Sequence, residues 1–160
     1  MSAADKLEIT ELLYRYAELI DAGDFDGVGQ LLSRATFGGA KTPIVSGAKN
    51  IAGLFAMTTR RFPDTASDVA GPAAPGTPKT RHLVLNALVD LDGDSAAARS
   101  TFLVVQATDA VAFQPIVAGR YYDRFARDGD GWYFTERKAD VEMVGDVSDH
   151  LLIAPDAFDR

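Results

Sequence analysis

Arg81-His82-Leu83-Val84-Leu85-Asn86-Ala87-Leu88-Val89-Asp90-Leu91-Asp92-Gly93-Asp94 marks the point where the hydrophobic period of the chain changes. Here apolar residues dominate a run of strand length, and Asp92-Gly93-Asp94 closes it as a hairpin turn. A second strand is expected over Ala96–Ala107 and a third over Ile116–Arg127. Asp128-Gly129-Asp130-Gly131 then turns the chain into a fourth, Trp132–Val144. Two Asp-Gly turns between β-rich runs predict antiparallel pairing.

Upstream of Arg81 the period is helical. Ile9, Leu12, Leu13, Tyr16, Leu19 and Ile20 recur at three- and four-residue steps, an apolar stripe on one helix face. Ser2 with Asp5 is a capping signal, and Asp21-Ala22-Gly23 is the expected stop. A second helix fits Asp24–Ser33, capped by Asp24, and a third fits Ala48–Arg61 ahead of Pro63. Between them, Gly38-Gly39 and Pro43 leave room for a short strand at most. Residues 63–80 hold Pro63, Gly71, Pro72, Pro75, Gly76 and Pro78, and read as a flexible flap. Pro155 argues against a long terminal helix. Helices followed by strands predict one α+β domain over 1–160, a cone of antiparallel sheet wrapped on helices.

Composition narrows the function. The 160 residues carry 23 Asp and Glu against 16 Lys and Arg, a formal charge of −7. Arg60-Arg61 and Arg137-Lys138 are the only adjacent basic pairs, so a nucleic-acid partner is not expected. With no cysteine, disulfides, thiolate nucleophiles and Cys-ligated metals are excluded. Two histidines are too few for a metal site without several carboxylates, so no metal is expected at Asp149-His150. Gly27-Val28-Gly29 lacks the third Gly of a dinucleotide fingerprint, and no cofactor motif occurs elsewhere. No apolar run is long enough to span a membrane, and the first residues lack the order of a signal peptide. A soluble, cytoplasmic protein is the expectation.

Strand alternation assigns His82, Val84, Asn86 and Leu88 to one face and Leu83, Leu85, Ala87 and Val89 to the other. The second face, wholly apolar, is expected to be buried. The first is mixed, as the wall of a ligand cavity is. The competing reading of His82 is an exposed sheet residue without a role. Asp21 ends the first helix, where the helix dipole disfavours a carboxylate, so it is either partnered or solvated. If the two meet, Asp21 fixes the imidazole tautomer and His82 can take a proton. Arg137 can stabilise developing negative charge, or be a strand-edge charge. Tyr16, Asn86, Ser100, Phe102 and Tyr121 are the candidate substrate-binding residues. Tyr14 and Tyr122 are further candidate proton donors, with core packing as the alternative for all the tyrosines.

Tyr16-Ala17-Glu18-Leu19-Ile20-Asp21-Ala22-Gly23-Asp24-Phe25-Asp26 resembles the opening of SnoaL-like proteins, members of the nuclear transport factor 2-like superfamily. Thr80 to Asn86, Gly119 to Phe125, Gly131-Trp132 and Gly145-Asp146-Val147-Ser148-Asp149-His150-Leu151 continue the resemblance in order, over nearly the whole chain. It implies three N-terminal helices on a curved sheet, and is closest to the scytalone dehydratase and lindane dehydrochlorinase branch. Those enzymes pair an Asp ending the first helix with a His starting a strand, and Asp21 and His82 fall on these positions. Arg137 falls on an arginine that the dehydrochlorinase uses. Ser100 stands where scytalone dehydratase has a second pocket His, and the tyrosines that hold its catalytic water are not reproduced, Ile20 preceding Asp21. The resemblance also implies a homodimer or homotrimer. The expected activity is a cofactor-free lyase, dehydratase or dehydrohalogenase in type, acting on a small apolar cyclic substrate. An isomerase or polyketide cyclase with the same pair is the alternative. A non-catalytic ligand-binding or subunit protein is a third reading.

Overall fold

The computed structural model describes residues 2–40, 42–63 and 76–153. Helix α1 runs Ala3–Asp21 and starts in a full capping box: Asp5 N–H donates to Ser2 Oγ, and the Asp5 carboxylate accepts the Ser2 N–H. Its buried side is Ile9, Leu13, Tyr16, Ala17 and Ile20, the stripe expected from the sequence. Helix α2, Phe25–Leu31, is capped by Asp24, whose Oδ1 accepts the Gly27 N–H at 2.8 Å. Helix α3 spans Ala48–Thr58 and ends before the expected Arg61. The tail supplies the reason: Leu152 N–H donates to Thr58 O and Arg60 N–H to His150 O, each at 2.8 Å, which draws the chain out straight after Thr58.

Six strands form one sheet in the order β2-β1-β6-β5-β4-β3. They are β1 Thr36–Gly39, β2 Thr42–Ser46, β3 Thr80–Asp92, β4 Ser95–Gln106, β5 Gln114–Asp128 and β6 Gly131–Val144. The four long strands pair antiparallel, as their turns predict. Two strands, β1 and β2, stand where the sequence left room for one at most. They form a hairpin, with β1 running parallel to β6. The glycine that argued against a strand is what permits it, because a Cβ on Gly39 would collide with Ala139 O of β6. Pro43 lies on the edge strand, where a missing N–H is tolerated.

The helices cover one face of this curved, open sheet, and the core lies between them. Phe55 of α3 meets Phe37 at 5.2 Å, Phe25 at 6.0 Å and Tyr16 at 6.4 Å, joining all three helices to β1. Trp132 Nε1 donates to Asp5 Oδ1 at 3.0 Å, tying the start of α1 to β6.

The facing of β3 differs from simple alternation. Asn86 has φ 56°, and the register with β4 slips between Leu85 and Leu88. The slip is a bulge, and it exchanges the faces halfway along the strand. His82 and Val84 point inward before it; Ala87, Val89 and Leu91 point inward after it. Leu83 and Leu85 are exposed, so the face expected to be wholly buried is not, and Leu88 of the mixed face is exposed as well. The proposed flap falls largely on residues 64–75, outside the described residues.

Candidate active site

Asp21 is the last residue of α1, and His82 lies three residues after Lys79, which has φ 57°. The two side chains meet: His82 Nδ1 and Asp21 Oδ1 are 2.7 Å apart. Asp21 Oδ2 also accepts the His82 main-chain N–H at 2.8 Å, and Oδ1 accepts the Thr80 hydroxyl at 2.9 Å. Three donors therefore orient the carboxylate. With Asp21 on Nδ1, the tautomer is set and Nε2 is the nitrogen left for another molecule. Both side chains are about nine-tenths buried.

Further along the sheet's inner face lies a second polar group. Arg137 of β6 is fully buried and donates from NH1 to Asp123 Oδ2 at 3.2 Å. Its guanidinium carbon sits 3.7 Å from the ring centre of Tyr121 and 4.0 Å from that of Tyr16. Phe102 stacks on Tyr121 with ring centres 4.5 Å apart. A Cβ on Gly119 would meet Phe102 Cζ at 2.9 Å, so the glycine leaves room for that stack. The pair is not fully satisfied: Arg137 Nε and NH2, Asp123 Oδ1 and the nearby inner-face Ser100 Oγ are buried without partners. Burial pushes the Asp123 carboxyl up to about 7, against the pull of Arg137. Burial also raises both Tyr16 and Tyr121, which makes their hydroxyls poorer acids.

Of the residues singled out from the sequence, Tyr16, Asp21, His82, Ser100, Phe102, Tyr121 and Arg137 all lie on the inner side of the sheet or the helix face against it. Asn86 does not. It forms the bulge and is exposed, since the slip that turns Ala87 inward turns Asn86 away. Arg137 is no strand-edge charge, because β1 pairs alongside it. Tyr14 and Tyr122 are exposed. Two shallow depressions, one at Ser2, Lys6 and Asp90 and one at Glu11, Tyr14 and Glu18, lie on the surface and include neither member of the Asp21–His82 pair.

The sequence reading missed three neighbours. Thr80 falls at the end of the expected flap, whereas it opens β3. Asp123 lies under Arg137 by strand register, Asp123 pairing Arg137 across β5 and β6, which needs the fold to be known. Asp149-His150 invites a metal or triad reading on sequence, without a link to His82, yet the His150 ring lies 6.5 Å from that of His82. Among the described residues no group of three or more metal-ligating side chains occurs, and no helix is long and apolar enough to cross a membrane.

No curated protein matches the chain. Among solved structures, a Nostoc punctiforme protein of unknown function with a cystatin-like fold superposes with a TM-score of 0.67 at 24% identity, over 89% of this chain and 94% of that one. A Mycobacterium tuberculosis protein of unknown function gives 0.69 at 23% identity, over 96% and 84%. A Novosphingobium aromaticivorans protein provisionally named a scytalone dehydratase gives 0.66 at 17% identity, over 89% and 87%. At these identities the likeness is one of fold, cystatin-like and nuclear transport factor 2-like. The family model described as SnoaL-like domain matches residues 1–138. The chain belongs to the SnoaL-like domain family.

Proposed function

We propose that this protein is a cofactor-free lyase, dehydratase or dehydrohalogenase in type, in which His82 Nε2 removes a proton from carbon in a small, apolar, cyclic substrate. The observation that carries this reading is the 2.7 Å contact between Asp21 and His82 Nδ1, with Thr80 and the His82 main chain also donating to the same carboxylate. A solvated helix-end aspartate has no need of three donors. A base of this kind contributes about 10²–10⁴ in rate.

In the proposed step the C–H bond breaks and an N–H bond forms at Nε2, while the electron pair forms the new double bond. The leaving group departs with the pair from its own bond. As hydroxide, it takes the proton back from His82 and leaves as water. Asp21 balances the imidazolium that forms in between. Arg137 can assist by meeting developing negative charge with its unpartnered Nε or NH2. Tyr16, Ser100, Phe102 and Tyr121 are the groups that would line the substrate's apolar side and its polar edge.

The reading is tested in D₂O with a panel of small cyclic ketones. Deuterium at the α-carbon, followed by proton NMR, reports proton removal, and mass spectrometry then separates loss of water or halide from the unchanged mass of an isomerase product. The expected result is α-deuteration that His82→Ala abolishes. Exchange that survives His82→Ala, or none above background with any ketone, sinks the reading.

A further inference from the structure

The step above uses one histidine, and the chain has two. His150 follows β6 in the segment Gly145 to Leu151. Its ring stands edge-on to that of His82, with centroids 6.5 Å apart and planes at 62°. It is 8% exposed, and its Nδ1 is buried without a hydrogen-bond partner. Buried polar atoms are normally paired, so an orphaned ring nitrogen beside a candidate base calls for an explanation.

The segment is held firmly. Gly145 N–H donates to Ile116 O at 2.7 Å and Arg60 N–H to His150 O at 2.8 Å. Gln106, at the end of β4 and 1% exposed, makes the decisive link. Its Nε2 donates to Pro78 O at 3.0 Å and to Asp149 O at 3.1 Å. Pro78 leads into Thr80 and His82, and Asp149 precedes His150. One side-chain amide thus ties the approach to the first imidazole to the approach to the second.

We propose that His150 is a second imidazole of the Asp21–His82 site, facing the same bound molecule as His82, and that Gln106 is the positioning residue that holds it there. The proposal rests on the reading of His82 as a base. The groups facing His150 are His82 from β3 and Asp21 from the end of α1. Asp149 beside it is turned to the Thr108 hydroxyl at 2.6 Å, and Arg60 meets it through the main chain. Burial first, and His82 second, hold its pKa down to about 4, with Asp21 opposing. At neutral pH the ring is therefore uncharged, with one donor and one acceptor nitrogen. It does not compete for the proton that His82 takes. It can instead donate a hydrogen bond to an oxygen of the bound molecule on which charge develops, as a neutral imidazole can. The missing partner of the ring is then supplied by that molecule.

Because the chain has only two histidines, both rings can be followed by imidazole NMR in the full-length protein, assigned with His82→Ala and His150→Phe. The expected result is a His150 ring that stays uncharged down to about pH 4 in the unliganded protein. In Gln106→Leu its titration should rise by about one pH unit or more, as the tail loosens and water reaches the ring. Gln106→Met, which keeps the side-chain length, replaces this variant if it fails to fold. Titration with 2-naphthol, a stable analogue of a cyclic enol, should move the signals of both rings, and His150→Phe should weaken its binding about tenfold. A His150 that titrates near the ordinary histidine value, or one indifferent to Gln106, overturns the proposal. So does a probe that moves neither ring. A probe that moves His82 alone sinks the second imidazole and leaves the base reading intact. Absence of ketone deuteration, with His150 still following Gln106 and 2-naphthol, sinks the base reading instead.

Discussion

Asp21 grips His82 at two points, the ring Nδ1 at 2.7 Å through Oδ1 and the main-chain N–H at 2.8 Å through Oδ2. The end of α1 and the start of β3 are thereby fixed to each other by the same carboxylate that fixes the tautomer. Position and protonation are consequently not separable at this residue. Asp21→Asn keeps the shape of the side chain but can no longer accept from every donor at once. It should lower the rate of α-deuteration by about 10²–10⁴, as His82→Ala does. The double variant should be hardly worse than either single one, because the two act as a unit. Additive losses would mean that Asp21 acts elsewhere.

The buried pair predicts a pH signature. The folded-state carboxyl of Asp123 is pushed up to about 7 by burial, above its ordinary value of 3.8. The folded protein therefore binds a proton that the unfolded chain has already released between these values. The stability Asp123 contributes is complete below about pH 4 and is lost as the pH rises through 7. Denaturant unfolding of the wild type should show this fall, and Asp123→Asn, which does not titrate, should flatten it. An equal slope in both proteins would contradict the assignment.

Removing one partner outright tests the same pair differently. Asp123→Ala leaves a buried guanidinium with no counter-charge and should cost about 3–5 kcal/mol. Arg137→Met should cost less, since Asp123 can escape its own unpaired charge by taking a proton. Thermal melts at pH 8, above the folded-state value of about 7 where Asp123 is ionised, check the order, and the reverse order would show that Arg137 is solvated on losing Asp123.

Much of this molecule was legible in its sequence, for identifiable reasons. The stripe Ile9 to Ile20 and the two Asp-Gly turns are local signals, and both α1 and the four long strands follow from them. What failed depended on distant atoms. Gly39 looks like a strand breaker until Ala139 O is seen against it. His150 sits far from His82 along the chain, and only Gln106 and the pairing of residues 58–60 with the tail bring it near. The pairing of Asp21 with His82 was open on spacing alone. The family resemblance favoured it, because spacing carries no information on where a helix end meets a strand.

The bulge at Asn86 is the local feature on which the placement of His82 depends. A residue at φ 56° is strained unless it is Gly or a tolerant Asn. Asn86→Gly should therefore fold with unchanged or slightly raised stability, while Asn86→Val should lose about 1–3 kcal/mol. The facing on the N-terminal side of the bulge makes a second, sharper contrast between neighbours. Leu83 is exposed and Val84 packs on the core, so Leu83→Lys should change stability by no more than about 0.5 kcal/mol, and Val84→Lys by about 2 kcal/mol or more. Strict alternation without a bulge predicts a buried Leu83 and Leu85 on the same side as Val89, and so the opposite ranking. Chemical denaturation of the two lysine variants decides between these arrangements. If Leu83→Lys proves as damaging as Val84→Lys, the outer face is itself covered, and the mass of the protein by light scattering would show whether a second copy covers it.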